Sequence, residues 1–255
     1  MISANLKGGI GNIMFEIAAV TAISLDTGYD AAFNRKVSGI AHGKIEKYES
    51  NILRNVRICD DLGFLNVYQE PRFSYTPLPI ADNIMYDGHF QSEKYFIHRR
   101  KEILDLFSAS KSFKESVSAN SLDLSSACAV HVRRGDYLKY PDIHPVQSLD
   151  YYQKGLDILK ESGCNDFLFF SDDIQWCKEN FTGHRFYFIE GNEDWEDLWT
   201  MSLCKHHIIA NSSFSWWGAW LGQREDSITI SPKKWFGSKG APDTNDVYAN
   251  NWLIL

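Results

Sequence analysis

The stretch His206-His207-Ile208-Ile209-Ala210-Asn211-Ser212-Ser213-Phe214-Ser215-Trp216-Trp217-Gly218-Ala219-Trp220-Leu221 reads as a short buried strand that runs straight into a helix. Asn211, Ser212 and Ser213 offer N-cap side chains, and the helix that follows is rich in aromatic residues. A helix that starts at the end of a strand turns its first backbone N–H groups outward, which makes a ready site for an anion. Alone, the segment reads first as a capped core helix. Three further segments with the same layout favour a ligand site.

In the second, the apolar run Ala127-Cys128-Ala129-Val130 leads into His131-Val132-Arg133-Arg134-Gly135-Asp136-Tyr137. Two adjacent arginines at a strand end are costly beside a core unless they meet anions, and the guanidinium fork matches phosphate. The competing reading is a surface ion-pair cluster in which Asp136 answers Arg133 or Arg134. In the third, Phe167 to Phe170 runs into Ser171-Asp172-Asp173-Ile174-Gln175-Trp176-Cys177. Ser171 or Asp172 can cap the next helix, while the carboxylates can accept from ribose or base donors or orient the arginines. The fourth is Leu6-Lys7-Gly8-Gly9-Ile10-Gly11-Asn12-Ile13-Met14-Phe15, a strand, a glycine-rich loop and a helix. It lacks the third glycine of a dinucleotide fingerprint and the Lys-Ser/Thr of a P-loop. Met14, Ile17, Ala18, Thr21, Ala22 and Leu25 then recur at helical spacing.

These segments sit in a regular alternation. Strands are expected at 2–6, 30–33, 83–86, 128–132, 167–170, 186–189, 206–210 and 228–230. Helices are expected at 12–25, 93–107, 173–180, 193–203 and 213–222. A further helix starts at Ser148 and presents Leu149, Tyr152, Leu156 and Leu159 on one face. Asn192 is expected to cap the helix at 193. Strands alternating with helices imply α/β architecture with parallel sheets covered on both faces. In open sheets of this kind, ligands bind at the carboxyl ends of strands. Residues 36–80 resist assignment, with Pro71, Pro77 and Pro79 breaking any long element. The serine-rich stretch Lys111 to Ser126 is the expected linker. It divides the chain into a first domain, 1–120, and a second, 121–255, with the extreme C-terminus packing back on the first half.

Composition narrows the function. A net charge of −7 and the lack of a basic run argue against nucleic-acid binding. Five cysteines at spacings unlike a metal site read as buried thiols of a reducing compartment. Met1-Ile2-Ser3 leads directly into a strand, so no signal peptide is expected, and no apolar run is expected to reach the length of a membrane span.

Taken together, the four segments resemble glycosyltransferase family 11, the α-1,2-fucosyltransferases. The family's His-x-Arg-Arg-x-Asp-Tyr is matched by His131 to Tyr137, its Ser-Asp-Asp-x-x-Trp-Cys by Ser171 to Cys177, and its Asn-Ser-Ser-Phe-Ser-Trp-Trp-Gly-Ala-Trp-Leu by Asn211 to Leu221. The N-terminal Gly-Leu-Gly-Asn-Gln-Met-Phe-Gln is matched more loosely, with Ile10, Ile13 and Glu16 replacing Leu and the two Gln. Gly88 to Phe96 and the segments Ser231 to Trp235 and Asn251-Trp252 also look like the family.

The resemblance implies two Rossmann-like halves facing a cleft, the GT-B architecture, with the nucleotide in the second half and the acceptor shaped by the first. It implies inverting transfer of L-fucose from GDP-β-L-fucose to the 2-hydroxyl of a terminal galactose, on an oligosaccharide or a lipid-linked glycan. Arg133 is the expected β-phosphate ligand, with Arg134 bracing the loop or the pyrophosphate. The wider donor set is Gly9, Gly11, Asn12, His131, Ser171, Asp172, Asp173, Asn211, Ser212, Ser213 and Phe214. Asp136 is a candidate general base, or else the partner of an arginine; Asp142 and His144 lie nearby as further candidates. No Asp-x-Asp occurs, so no metal is expected. His131 is expected to make a structural hydrogen bond, and Trp216, Trp217 and Trp220 to pack their helix. Eukaryotic members usually carry a membrane anchor, so a bacterial or viral cytoplasmic protein, free or peripheral to a membrane, is expected. The alternatives are transfer of another nucleotide-bound sugar and a binding-only relative.

Overall fold

A computed structural model describes residues 1–36, 45–63, 66–118 and 122–255. Parts of the unassigned stretch 36–80 and of the expected linker 111–126 lie outside the described residues. The chain forms two compact units, Met1–Ser108 with Asp243–Ala249, and Ala109–Pro242 with Asn250–Leu255.

The first unit contains β1 (Ile2–Ala4), α1 (Ile10–Thr27), β2 (Phe33–Asn34), α2 (Glu46–Glu49), β3 (Ile58–Cys59), β4 (Asn66–Gln69), β5 (Ile84–Asp87) and α3 (Arg100–Phe107). A parallel sheet runs in the order β1-β5-β4, and β2 pairs with β3 in parallel. A bridge from Ile2 to Ala31 brings the approach to β2 alongside β1. On α1, Met14, Ile17, Ala18 and Ala22 are buried as the spacing predicts, whereas Leu25 is exposed in the last turn. Gly28 ends the helix in the left-handed region, φ 76°, and donates its N–H to Ser24 O at 2.8 Å. Contrary to the expectation that no run is long enough, α1 has the length and apolarity to cross a membrane; 61% of its 18-residue window is buried inside the protein, as in a core helix. The helix expected over 93–107 is broken. Two 3₁₀ turns, Glu93–Tyr95 and Ile97–Arg99, precede α3, because the buried Phe96 sits at φ −144°, ψ 1°, outside helical geometry.

The second unit opens with α4 (Lys111–Ser118), a helix where a linker was expected. Then follow β6 (Cys128–Val132), α5 (Leu149–Glu161), β7 (Phe167–Ser171), α6 (Ile174–Asn180), β8 (Phe186–Phe188), α7 (Asp194–Leu203), β9 (His206–Ile208), α8 (Ser213–Gly222), β10 (Thr229–Ser231) and β11 (Leu253–Ile254). The strands form one parallel sheet in the order β11-β10-β9-β6-β7-β8. The inner strands β10, β9, β6 and β7 are buried on both faces, which is why they read as continuous apolar runs, whereas the edge strand β11 is exposed. Cys128, Val130, Val132, Phe167 and Phe169 pack with Tyr152, Leu156 and Leu159 of α5 and Cys177 of α6. Ala129, Leu168 and Phe170 face the other way, onto Met201 and Cys204, with Phe214 of α8 against them.

Some local expectations are corrected. Tyr151, not Leu149, joins the buried face of α5, and Leu149 is exposed. Asp173, rather than Ser171 or Asp172, caps α6, accepting the Trp176 N–H at 3.3 Å. Glu193, rather than Asn192, begins α7, in a capping box with Glu196. Ser212 holds the extended N-cap position of α8 but makes no side-chain capping bond. Trp216, Trp217 and Trp220 are fully buried.

Candidate active site

In the second unit, β6 lies between β9 and β7, so the three polar segments emerge side by side at the carboxyl ends of adjacent strands. Arg133 follows β6 directly. Its Nη2 meets Asp136 Oδ1 at 2.7 Å and its Nε meets Asp172 Oδ2 at 3.2 Å. Its guanidinium carbon also lies 5.4 Å from the centre of the Tyr137 ring. This face contact leaves part of the five-donor fork without a hydrogen bond among the described residues. Arg134 is held differently. Its Nε donates to Asp173 Oδ2 at 3.0 Å, and its guanidinium carbon lies 4.0 Å from the centre of the Trp176 ring. The Arg134 backbone N–H donates to Asp172 Oδ1 at 2.9 Å. Asp172 thus ties both arginines to the end of β7. It lies so close to Gly135 that a Cβ there would stand 2.5 Å from its Oδ2. Ser171 Oγ accepts the Asp173 N–H at 3.0 Å, which fixes the turn.

Behind the arginines the site is dry. The Tyr137 hydroxyl donates to Asn211 O at 2.9 Å, its ring stacks on His144 at 4.7 Å, and burial pushes its phenol up to about 12. Asn211 accepts Gln147 Nε2 at 2.8 Å and donates to Trp235 O at 2.9 Å. Its side chain therefore knits three loops together. His131 is buried, with its ring 5.6 Å from that of Phe214 and its Nδ1 without a hydrogen-bond partner. Burial, reinforced by the nearby Arg133 charge, pushes its pKa down to about 3, so it is neutral at physiological pH. Ser213 and Phe214 form the first turn of α8, whose amide N–H groups have no acceptor within the helix itself.

The first unit carries the glycine-rich loop. Gly8 has φ +80°, and a Cβ on it would lie 2.6 Å from Asn12 Nδ2. Gly9 is the N-cap of α1, Gly11 is buried, and Asn12 Oδ1 accepts Gln91 Nε2 at 2.9 Å. Four residues past Asn12, Glu16 is buried on α1.

Residues 49–255 match the profile of the family described as Glycosyl transferase family 11. The chain belongs to glycosyltransferase family 11. It is 30% identical to the α-1,2-colitosyltransferase of Escherichia coli, across 92% of this chain and 92% of that protein. It is 26% identical to the galactoside 2-α-L-fucosyltransferase Sec1 of Mus musculus, across 87% of this chain and 64% of the mouse protein. The fucosyltransferase NodZ from Bradyrhizobium has the same fold, with a TM-score of 0.53 at 12% identity, covering 85% of this chain and 91% of NodZ. That fold is GT-B, as the resemblance implies.

Of the residues expected to form the donor site of this glycosyltransferase, His131, Arg133, Arg134, Ser171, Asp172, Asp173, Asn211, Ser212, Ser213 and Phe214 share one strand-end surface of the second unit. Gly9, Gly11 and Asn12 belong to the first unit. Asp136 is on Arg133, the ion pair weighed against a base role in the sequence. Trp176, quoted in the sequence only as part of the Ser171–Cys177 motif, turns its ring to Arg134; its place three residues after a capping carboxylate is the available signal. Gln147 and Trp235 were not singled out as partners of Asn211, and nothing local in the sequence links them.

Proposed function

We propose that this family 11 enzyme transfers L-fucose from GDP-β-L-fucose to the 2-hydroxyl of a terminal galactose, with inversion and without a metal ion. The observation that carries the reading is Arg133, held between Asp136 and Asp172 at the end of β6 beside the first turn of α8. A departing diphosphate needs fixed donors where its charge grows. The uncommitted edge of Arg133 and the start of α8 supply charge-assisted hydrogen bonds and a helix dipole there. Arg134, stacked and paired, braces the loop. Asp136 orients Arg133 in this reading. Asp172 and Asp173 hold the arginines in register, and Asn211 fixes the strand end from which α8 starts.

The choice of sugar rests on the motifs and on the similarity to Sec1. The E. coli relative, named as a colitosyltransferase, favours a second reading in which the transferred sugar is colitose. Purified protein would be given GDP-fucose or GDP-colitose, with a galactose-terminated acceptor and EDTA, and the product linkage mapped by NMR. An α-1,2-linked fucose formed in EDTA is the expected product. Colitose transfer alone would replace the donor, and GDP binding without any product would make the chain a binding-only relative.

A further inference from the structure

Five of the eleven strongly exposed large apolar side chains among the described residues fall in two short segments of the second unit. Leu138, Tyr140 and Ile143 follow the arginine loop after β6, and Leu253 and Ile254 form the edge strand β11. Leu138 and Tyr140 are 54% and 58% exposed. Scattered singly, such residues would mean little; gathered on one surface they mark a contact site.

The inner side of the 138–143 loop is built to hold them outward. Its backbone closes on itself through Leu138 N–H to Arg134 O at 2.9 Å, Tyr140 N–H to Tyr137 O at 3.2 Å and Ile143 N–H to Tyr140 O at 3.0 Å. Beneath it, the buried Tyr137 ring stacks on His144, whose ring lies 5.6 Å from that of Phe236. A second loop, 233–239, lies against the first. Gly237 N–H donates to Ile143 O at 2.9 Å, and Lys239 N–H donates to Asp142 O at 2.8 Å. The approach is so close that a Cβ on Gly237 would stand 2.3 Å from Asp142 O. At its other end this loop joins β11, because Lys233 N–H donates to Leu255 O at 2.7 Å. The loop after β6, the loop after β10 and β11 itself therefore form one hydrogen-bonded surface. It lies at the carboxyl ends of parallel strands, the side from which Arg133 also emerges.

The charge on this surface opposes that of the chain. Lys139, Lys233, Lys234 and Lys239 are exposed, and the same segments hold a single acidic residue, Asp142, 2.9 Å from Lys239 Nζ. The acids that flank the loop are engaged elsewhere, Asp136 on Arg133 and Asp150 on Lys154. A surplus of three positive charges thus stands beside exposed aliphatic and tyrosine side chains, in a chain whose net charge is −7. Apolar groups that enter a bilayer interface and lysines that meet its anionic headgroups are the two signals that together hold a protein there. A tyrosine suits headgroup level, and long lysine stems carry their charge out to it.

We infer that this surface docks on an anionic bilayer. The side chains of Leu138, Tyr140 and Ile143 enter the headgroup region, with Leu253 and Ile254 beside them, and the four lysines meet lipid phosphates. For the transferase reading above, on which this consequence rests, docking brings a lipid-linked acceptor to the side of the sheet that carries Arg133. Membrane binding itself requires no sugar transfer, so the two readings fail separately.

Flotation of the full chain with vesicles tests this. Vesicles of phosphatidylcholine mixed with phosphatidylglycerol should carry the protein at low salt, vesicles of phosphatidylcholine alone should carry little of it, and added salt should release it. Lys139→Gln with Lys234→Gln should lower the partition coefficient by about 25-fold, roughly fivefold for each lysine. Leu138→Ser with Tyr140→Ser should lower it by at least about tenfold through lost apolar area. All four side chains are exposed, so both variants should keep the wild-type melting temperature and the wild-type rate on a soluble galactose-terminated oligosaccharide. Wild-type protein that floats with neither vesicle, or variants that bind as tightly as wild type, would overturn the inference. So would equal flotation with both lipids, which leaves the lysines without a role. Dimerisation that the same substitutions abolish, without vesicle binding, would make the surface an interface between copies and overturn it as well. Failure of the transferase reading looks different, because the protein would then float with anionic vesicles and transfer no sugar.

Discussion

Arg133 contacts two carboxylates through different nitrogens, Nη2 to Asp136 and Nε to Asp172, and this bracing sets the plane of its fork. Lysine could keep the charge but not the fork. Arg133→Lys should therefore lower kcat/KM by about 10²–10³-fold, the usual loss for one donor on a developing charge, read as GDP release from GDP-fucose. A change under threefold would remove Arg133 from that role. Gly135→Ala tests the bracing without touching the arginine. Its Cβ would displace the Asp172 carboxylate, since 2.5 Å leaves no room, and activity should fall while the melting temperature changes little. An equally active Gly135→Ala enzyme would show that Asp172 does not position the arginines. The arginine pair was legible in the sequence because charge at a strand end needs a reason. The Trp176 ring on Arg134 was not, since that contact depends on where α6 starts. The choice of Asp173 as cap follows from the same geometry: Asp172 is already committed to Arg133 Nε and the Arg134 N–H.

At the scale of elements, the strand–helix alternation of the second unit was readable because a sheet covered on both faces makes each strand a short apolar run. Helix α4 was hidden by its serines, although Phe113 and Val117 are four residues apart and Phe113 packs on Trp195 and Trp199, ring centres 5.8 Å and 5.2 Å away. Buried histidines on β6 and β9 give the sheet a pH dependence. Burial depresses His131 to about 3 and His207 to about 4, from 6.5. Their folded values lie below the unfolded one, so their contribution is complete above about pH 6.5 and is lost as pH falls toward 4 and 3, at about 1.4 kcal/mol per pH unit for each group. Urea midpoints measured between pH 7.5 and 5 should fall less steeply for His207→Gln than for the wild type. Parallel slopes would contradict the depressed value. The Ser148 cap of α5, which accepts the Tyr151 N–H at 3.2 Å, is a simpler case: Ser148→Ala should cost about 1 kcal/mol of unfolding free energy in the same assay.

At the scale of the whole molecule, the division falls after Ser108, ahead of the expected 120/121 boundary, and Asp243–Ala249 joins the first unit while Asn250–Leu255 stays with the second. Composition could not show this, because membership is decided by long-range contacts such as Asp246 with the Tyr75 N–H at 2.9 Å, and by β11 extending the sheet beside β10. The family was legible from three motifs on one sheet edge. The central claim is that the strand ends of the second unit hold a nucleoside diphosphate through Arg133 without a metal. The most direct test is the thermal shift produced by GDP in EDTA for wild type and Arg133→Ala. GDP at about 100 times its Kd should add about 2.7 kcal/mol to wild-type stability, and far less to the variant at the same concentration. An equal shift in both proteins, or a wild-type shift that disappears with EDTA, would contradict the account.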